Sequence, residues 1–303
     1  MNDRLRNLLI RYSPEWILEF AKSGKKSLRR KSLRKQEQRG GWSLESLVQQ
    51  LQYCGLEQGD SVLVHSSLSK MGFVQGGPET VVDALLQVIG PQGTLLMPTF
   101  PAAGRNKDYL DTHPVFDAKL TPSAMGSITE TFRKRSGVVR SLHPTDPVAA
   151  LGPLADYYTS GHFGQLTPYN EHSPFRRLAE KDGKILMLGT TLNGAGTSLH
   201  TLEDAVDFPF PVYLDKTYDC TIVDAEGRKH TVTTKVHNPE MSVRRNCDAL
   251  KPMFIRHGVL RNCTVGEAVC MLIGAKAMLE VMIREFSENG VTMYTPLGTK
   301  QQA

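Results

Sequence analysis

The sequence predicts a layered α/β/α fold with a mainly parallel or mixed central sheet and an inserted antiparallel β-hairpin. Three observations carry that prediction. Short apolar runs at residues 60–66 (DSVLVHS), 94–100 (TLLMPTF) and 184–188 (KILML) have the length and composition of strands buried on both faces. A helical pattern over 79–89 separates the first two, which makes the strand–helix–strand unit of a parallel sheet. Residues 217–223 and 228–236 instead alternate polar with apolar around Asp224-Ala-Glu-Gly227, which reads as a hairpin solvated on one face.

In chain order, Ser43-x-x-Ser46 opens a helix over 44–53 that stops at Gly55. The strand at 60–66 runs into the turn Ser66-Ser67-Leu68-Ser69-Lys70-Met71-Gly72, and Gly76-Gly77-Pro78 precedes the next helix. Residues 105–122 lack periodicity and read as a long loop, a lid or substrate wall. Thr121-Pro-Ser123 is expected to cap a helix over 124–135, and 148–151 is a further strand. Residues 157–174 read as loop, 175–180 as a short helix, and a last helix is expected from Thr264 to about Ser287. The organisation is one domain over 41–303, with its hairpin insertion at about 215–240, behind an extension over 1–40.

Charge divides the chain the same way. Residues 1–40 hold twelve Lys/Arg against four Asp/Glu, net +8; the other 263 hold 24 against 27, net −3. The overall +5 is therefore no argument for nucleic acid, and the mildly acidic main domain suits a cationic substrate. In the extension, Leu5, Leu8, Leu9, Trp16, Ile17 and Phe20 recur at helical spacing before a dense Lys/Arg run. That pattern fits a solvated amphipathic helix, packed outside or on a second copy in a homodimer. It also fits peripheral contact with a membrane or a phosphorylated glycan carrier. Apolar residues at 40% and charged ones at 22% are ordinary for a globular protein, and no apolar run is long enough to span a bilayer. Five cysteines, odd in number and without a C-x-x-C, lead us to expect reduced thiols and a cytoplasmic setting.

The chemistry is expected in the stretch 183–204, GKILMLGTTLNGAGTSLHTLED. A buried strand is followed by a Gly/Thr/Asn loop, and Thr197 or Ser198 can cap a helix beyond it. His200 and Glu203 then share one face of that helix, three residues apart. Surface ion pairs use this spacing too. The place matters more, because open α/β sheets bind ligands at a strand-to-helix step, and a carboxylate-held imidazole is a general base near neutral pH.

Five segments taken together resemble the aminoglycoside 3-N-acetyltransferase family, over most of residues 45–290. They are VLVHSSLSKMGFVQGG with GTLLMPTF, TPSAMGSITETFRK, VVRSLHPTDPVAALGP, SPFRRLAEKDGKILMLG and TSLHTLED, in that order. The resemblance implies an acetyl-CoA-dependent transfer to an amino-sugar amine, as in antibiotic resistance, with His200 and Glu203 as the base pair. It places the CoA against Ser66, Ser67, Leu68, Ser69, Lys70, Gly72, Val74, Gly76 and Gly77. A glycine turn after a parallel strand offers N–H groups to a pyrophosphate, although neither G-x-x-x-x-G-K-[ST] nor G-x-G-x-x-G is present.

Acetylating an amine requires removal of a proton and a donor for the thioester oxygen. Thr99, at the end of TLLMPTF, is a candidate donor; a strand-end turn residue reads the same way. Asp146 stands where the family has a small residue after the His143-Pro segment. It supports the catalytic histidine, receives the substrate ammonium, or forms an Asx turn; Glu130 faces a similar choice. Asp108, Asp111, Asp117, Glu171, Asp204 and Asp207 are loop acids that suit a polyamine. No metal-ligand spacing is seen, and no cysteine sits in a Cys-His transfer motif, so direct transfer in a ternary complex is expected. The basic extension is foreign to compact resistance enzymes, which leaves open a biosynthetic acceptor, an amino sugar on a nucleotide or lipid carrier. A non-catalytic CoA-binding relative would be signalled by loss of His200 or Glu203, and both are present.

Overall fold

A computed structural model describes residue 37 and residues 40–299. Nearly all of the basic extension, and with it the amphipathic-helix, membrane and homodimer expectations, lies outside the described residues.

The central sheet has seven strands: β1 (Ser61–Ser66), β2 (Thr94–Pro98), β4 (Val139–Arg140), β5 (Val148–Leu151), β6 (Lys184–Leu188), β9 (Leu260–Val265) and β10 (Ala268–Gly274). They lie in the order β4-β5-β2-β1-β6-β10-β9. Only β2, β1 and β6 run parallel; the strands on either side pair antiparallel. The central runs are apolar throughout because alternate residues serve two cores. Val62, Val64, Leu95, Met97, Leu186 and Leu188 face one layer, with α1 (Leu44–Cys54), α2 (Pro78–Ile89) and α3 (Ser127–Arg133). Leu63, Leu96, Ile185, Met187 and Ile273 face the other, with α4 (Ala155–Ser160), α5 (Pro174–Glu180) and α7 (Ala275–Asn289). This is the expected α/β/α arrangement, in its mixed form.

The hairpin forms as read, β7 (Tyr218–Val223) against β8 (Lys229–Thr234). It does not stand alone. The expected loop over 105–122 contains a helix, Asn106–Leu110, and β3 (Val115–Asp117), which pairs parallel with β7. The resulting three-stranded sheet closes on its own core of Leu110, Phe116, Tyr218, Ile222 and Val232. A three-residue strand that depends on a partner a hundred residues away leaves no local periodicity to read.

Other expectations need correction. The last helix begins at Ala275, not Thr264, because 260–274 form the β9–β10 hairpin; an apolar run such as AVCMLIG fits a buried strand or a helix equally. The helix expected over 124–135 spans only Ser127–Arg133. Gly126, at φ +109°, occupies its cap, and the Ser123 hydroxyl accepts from Met125 N instead. The loop expected over 157–174 starts inside α4. Cys54 and Cys263 form a disulfide between α1 and β9, while Cys220, Cys247 and Cys270 are free and buried. The expectation of reduced thiols, and the compartment inferred from it, loses that footing. Among the described residues no helix is long and apolar enough to cross a membrane.

Candidate active site

The chain leaves β6 through Gly189, at φ +71°, where a Cβ would lie 2.8 Å from Lys70 Cβ, so a side chain is excluded there. Neither Thr197 nor Ser198 caps the helix beyond; Thr191 caps an earlier short helix, Leu192–Ala195, its hydroxyl accepting from Gly194 N at 3.1 Å. One 3₁₀ turn, Thr197–His200, leads into α6 (Thr201–Ala205). This sharp sequence of turns delivers His200 and Glu203 together.

Both are buried, and His200 Nδ1 lies 3.0 Å from Glu203 Oε1, an ion-pair approach out of line for a straight hydrogen bond. Glu203 has further company that the sequence did not reveal. His237 Nε2 donates to Oε2 at 2.8 Å, and the Tyr294 hydroxyl donates to Oε1 at 2.7 Å. Burial by itself would raise the Glu203 pKa; its interactions with His200 and His237 hold it well below the ordinary carboxylate range. For His200 burial wins and lowers the pKa to about 4, with Glu203 opposing it. In place of the expected near-neutral imidazole, burial favours an unprotonated one at pH 7. His200, His237 and Tyr169 form a cluster of mutually tilted rings, with centroids 4.3 Å and 5.0 Å from His200.

His200 lines a cavity of about 340 Å³ together with His65, Asp146, Tyr169, Thr197 and His237. His65, not singled out from sequence, is a buried residue of β1 whose Nε2 lies 3.3 Å from Thr197 Oγ1; burial lowers its pKa to about 4. Asp146 belongs to this cavity but does not touch His200. Its Oδ1 accepts from the Tyr169 hydroxyl at 2.9 Å, and its Oδ2 from Thr145 at 2.6 Å and Asn106 at 3.0 Å. Burial raises its pKa against those three bonds.

Thr99 is placed elsewhere. It is fully buried and its hydroxyl is committed, donating to Pro147 O at 3.1 Å and accepting from Arg140 Nε at 2.9 Å. The strand end does reach the neighbourhood, through Phe100. Glu130 is a helix ion-pair partner of Arg133 and Lys134, and His143 is sealed against His162 with ring centroids 4.6 Å apart.

A second cavity, about 400 Å³, is lined by Leu68, Ser69, Gly72, Phe73, Val74, Gly77 and Ser127. Five of the nine expected CoA residues are among them. Ser66, Ser67, Lys70 and Gly76 do not line it: the Ser66 hydroxyl is buried without a partner among the described residues, the Ser67 and Ser69 hydroxyls are 3.1 Å apart, and a Cβ on Gly76 would meet Thr80 Oγ1 at 2.4 Å. Gly77, at φ +65°, is the cap of α2, whose first N–H groups have no side-chain cap. His65 and Met125 line the first cavity while Leu68 and Ser127 line the second, so two short segments run from one to the other.

The sequence showed no metal-ligand spacing because His237 is remote in the chain. In space, ligand atoms of His200, Glu203 and His237 all lie within 4.8 Å of one another, a donor set able to hold a divalent cation.

A buried imidazole–carboxylate pair on a cavity at the carboxyl ends of parallel strands is a site that can hold and move a proton. The aminoglycoside 3-N-acetyltransferase family model matches residues 63–287. The chain belongs to that family, a family of acyltransferases. It is 36% identical over 182 residues to aminoglycoside N(3)-acetyltransferase VII of Streptomyces paromomycinus, covering 56% of this chain and 62% of the relative. It is 30% identical over 253 residues to aminoglycoside N(3)-acetyltransferase III of Salmonella sp, covering 77% and 87%. The fold is similar to the aminoglycoside acetyltransferase AAC(3)-Xa, with a TM-score of 0.72 at 29% identity over 87% of this chain and 98% of that one. It is also similar to AAC-IIIb, solved with CoASH, at TM-score 0.67 and 26% identity over 81% and 96%. A variant of AAC(3)-IVa in complex with a gentamicin gives 0.69 and 26% over 82% and 90%.

Proposed function

We propose that this protein transfers the acetyl group of acetyl-CoA directly to a primary amine of an amino sugar, with His200 as general base and Glu203 as its anchor. The observation that carries the reading is the buried His200–Glu203 contact on a cavity linked to the glycine-turn cavity by the short segments 65–68 and 125–127. A CoASH-bound structural neighbour and an aminoglycoside-bound one support the two substrates.

Acetyl-CoA supplies an activated carbonyl; the chain's residues supply proton control. An imidazole of pKa about 4 cannot deprotonate a free ammonium efficiently at pH 7. It can take the proton of a neutral amine, whose N–H becomes strongly acidic as nitrogen bonds to the thioester carbon. Glu203, kept anionic by its three neighbours, stabilises the imidazolium that results, and that proton then leaves with the CoA thiolate. Thr197, which lines the cavity, replaces Thr99 as the candidate donor toward the thioester oxygen. Asp146, three of whose acceptor sites are filled, orients Tyr169 behind His200.

His200→Ala should bind acetyl-CoA with unchanged affinity by calorimetry while release of free CoA thiol falls by ~10²-fold or more. Transfer retained within a few-fold would remove His200 from the mechanism.

A further inference from the structure

We propose that the acceptor amino sugar carries a phosphoryl group, recognised by Arg245 with Arg105 in the cavity beside His200. The inference rests on the transfer reading and names its substrate class.

The acids expected to receive a polycation stay off the cavity wall. None of Asp108, Asp111, Asp117, Glu171, Asp204 and Asp207 lines it. Asp111 is paired with Lys107 at 2.5 Å, Asp117 accepts from the N–H groups of Lys119 and Leu120, and Asp204 accepts from the Tyr213 hydroxyl. The one carboxylate on the wall is Asp146, already holding three donors. Against it stand two guanidinium groups from separate segments, Arg105 and Arg245.

Arg245 is half-buried and lines the adjoining cavity around Gly194–Thr197 as well, where no carboxylate occurs. Its Nη2 donates to Ser242 Oγ at 2.7 Å and its Nε to the Tyr294 hydroxyl at 3.4 Å, which fixes the side chain without neutralising it. Among the described residues neither Arg245 nor Arg105 has a carboxylate oxygen within 4.0 Å. The half-buried Arg245 guanidinium, with no carboxylate in direct contact and Glu203 reached only through the Tyr294 hydroxyl, is partly desolvated at a cost, and a polyamine would add like charge beside it. A phosphoryl group removes both penalties, because its oxygens match the planar donor fork. Tyr294 bonds both Arg245 and Glu203, so one hydroxyl ties the anion subsite to the base.

The test is a kinetic panel on the full chain with acetyl-CoA and free-thiol detection. Acceptors are 2-, 3- and 4-amino hexoses offered free, as 1-phosphates and as uridine diphosphate conjugates, beside kanamycin and gentamicin. We expect kcat/KM for a phosphorylated form to exceed that of its free sugar and of both aminoglycosides by about tenfold or more. In Arg245→Gln that preference should collapse by about tenfold through KM, and Arg245→Lys should keep part of it. Preference for the 1-phosphate over the conjugate assigns a simple sugar phosphate; the reverse assigns a nucleotide-linked one. Aminoglycosides or free sugars used as well as phosphorylated ones would overturn the proposal while leaving the transfer reading standing. A preference unchanged in Arg245→Gln would overturn the Arg245 assignment. No turnover of any acceptor would overturn both readings.

Discussion

Glu203 shows how a single residue sets the character of the site. A carboxylate with no exposed side-chain surface stays ionised only because His200, His237 and Tyr294 converge on it. H-x-x-E spacing announced the first of these; His237 and Tyr294 arrive from 34 and 91 residues away, and no local signal marks them. Thr99 is the opposite case, a residue whose chain position suited an oxyanion donor and whose hydroxyl is spent on Arg140 and Pro147. Thr99→Val should therefore leave kcat near its starting value and cost about 1–3 kcal/mol of stability, because Pro147 O and Arg140 Nε lose a buried partner. Urea unfolding and steady-state kinetics on the same variant check this; a collapse of kcat with stability intact would return Thr99 to the reaction.

At the scale of elements, the strand-to-helix steps after β1 and β6 make the two cavities, and both depend on glycine. Gly77 sits at φ +65° and ψ −134°, a conformation L side chains avoid, and it leaves the start of α2 open. Gly77→Ala strains this turn by about 1–3 kcal/mol, and relaxation of the strained turn away from its binding geometry should raise the Kd for acetyl-CoA by about fivefold or more. Titration calorimetry should show that weakening, with kcat recovered at saturating acetyl-CoA; an unchanged Kd would move the coenzyme away from this turn. The strands with strong apolar runs and the hairpin with strict alternation were legible residue by residue. β3, β9 and β10 were not, since a short strand or an ambiguous apolar run takes its identity from the strand beside it.

At the scale of the whole molecule, four imidazoles among the described residues are buried in unprotonated form. His65 and His200 are lowered to about 4, His162 to about 3, and His143 well below its usual value, in each case through burial first. The unfolded chain binds protons near pH 6.5, above the folded values, so each group stabilises the fold fully at higher pH. That stability is lost as pH falls from about 6.5 toward 4, each tenfold difference in proton affinity between the unfolded and folded ring being worth roughly 1.4 kcal/mol. Thermal melts should accordingly drop steeply between pH 6.5 and 4, and the drop should shrink in His143→Gln. A melting temperature flat across that window would show that these rings are solvated.

The family, the sheet's central strands, the hairpin and the His200–Glu203 pair were determined by the sequence alone, because each rests on contacts within a few residues or on side-chain periodicity. Only the tertiary structure decided that Thr99 is sealed, that His237, Tyr294 and Arg245 meet at one carboxylate and its cavity, and that the expected acids stay outside it. The physical reason is separation along the chain: a charge's partners, and hence its pKa and its use, come from whichever distant segments the sheet order folds against it.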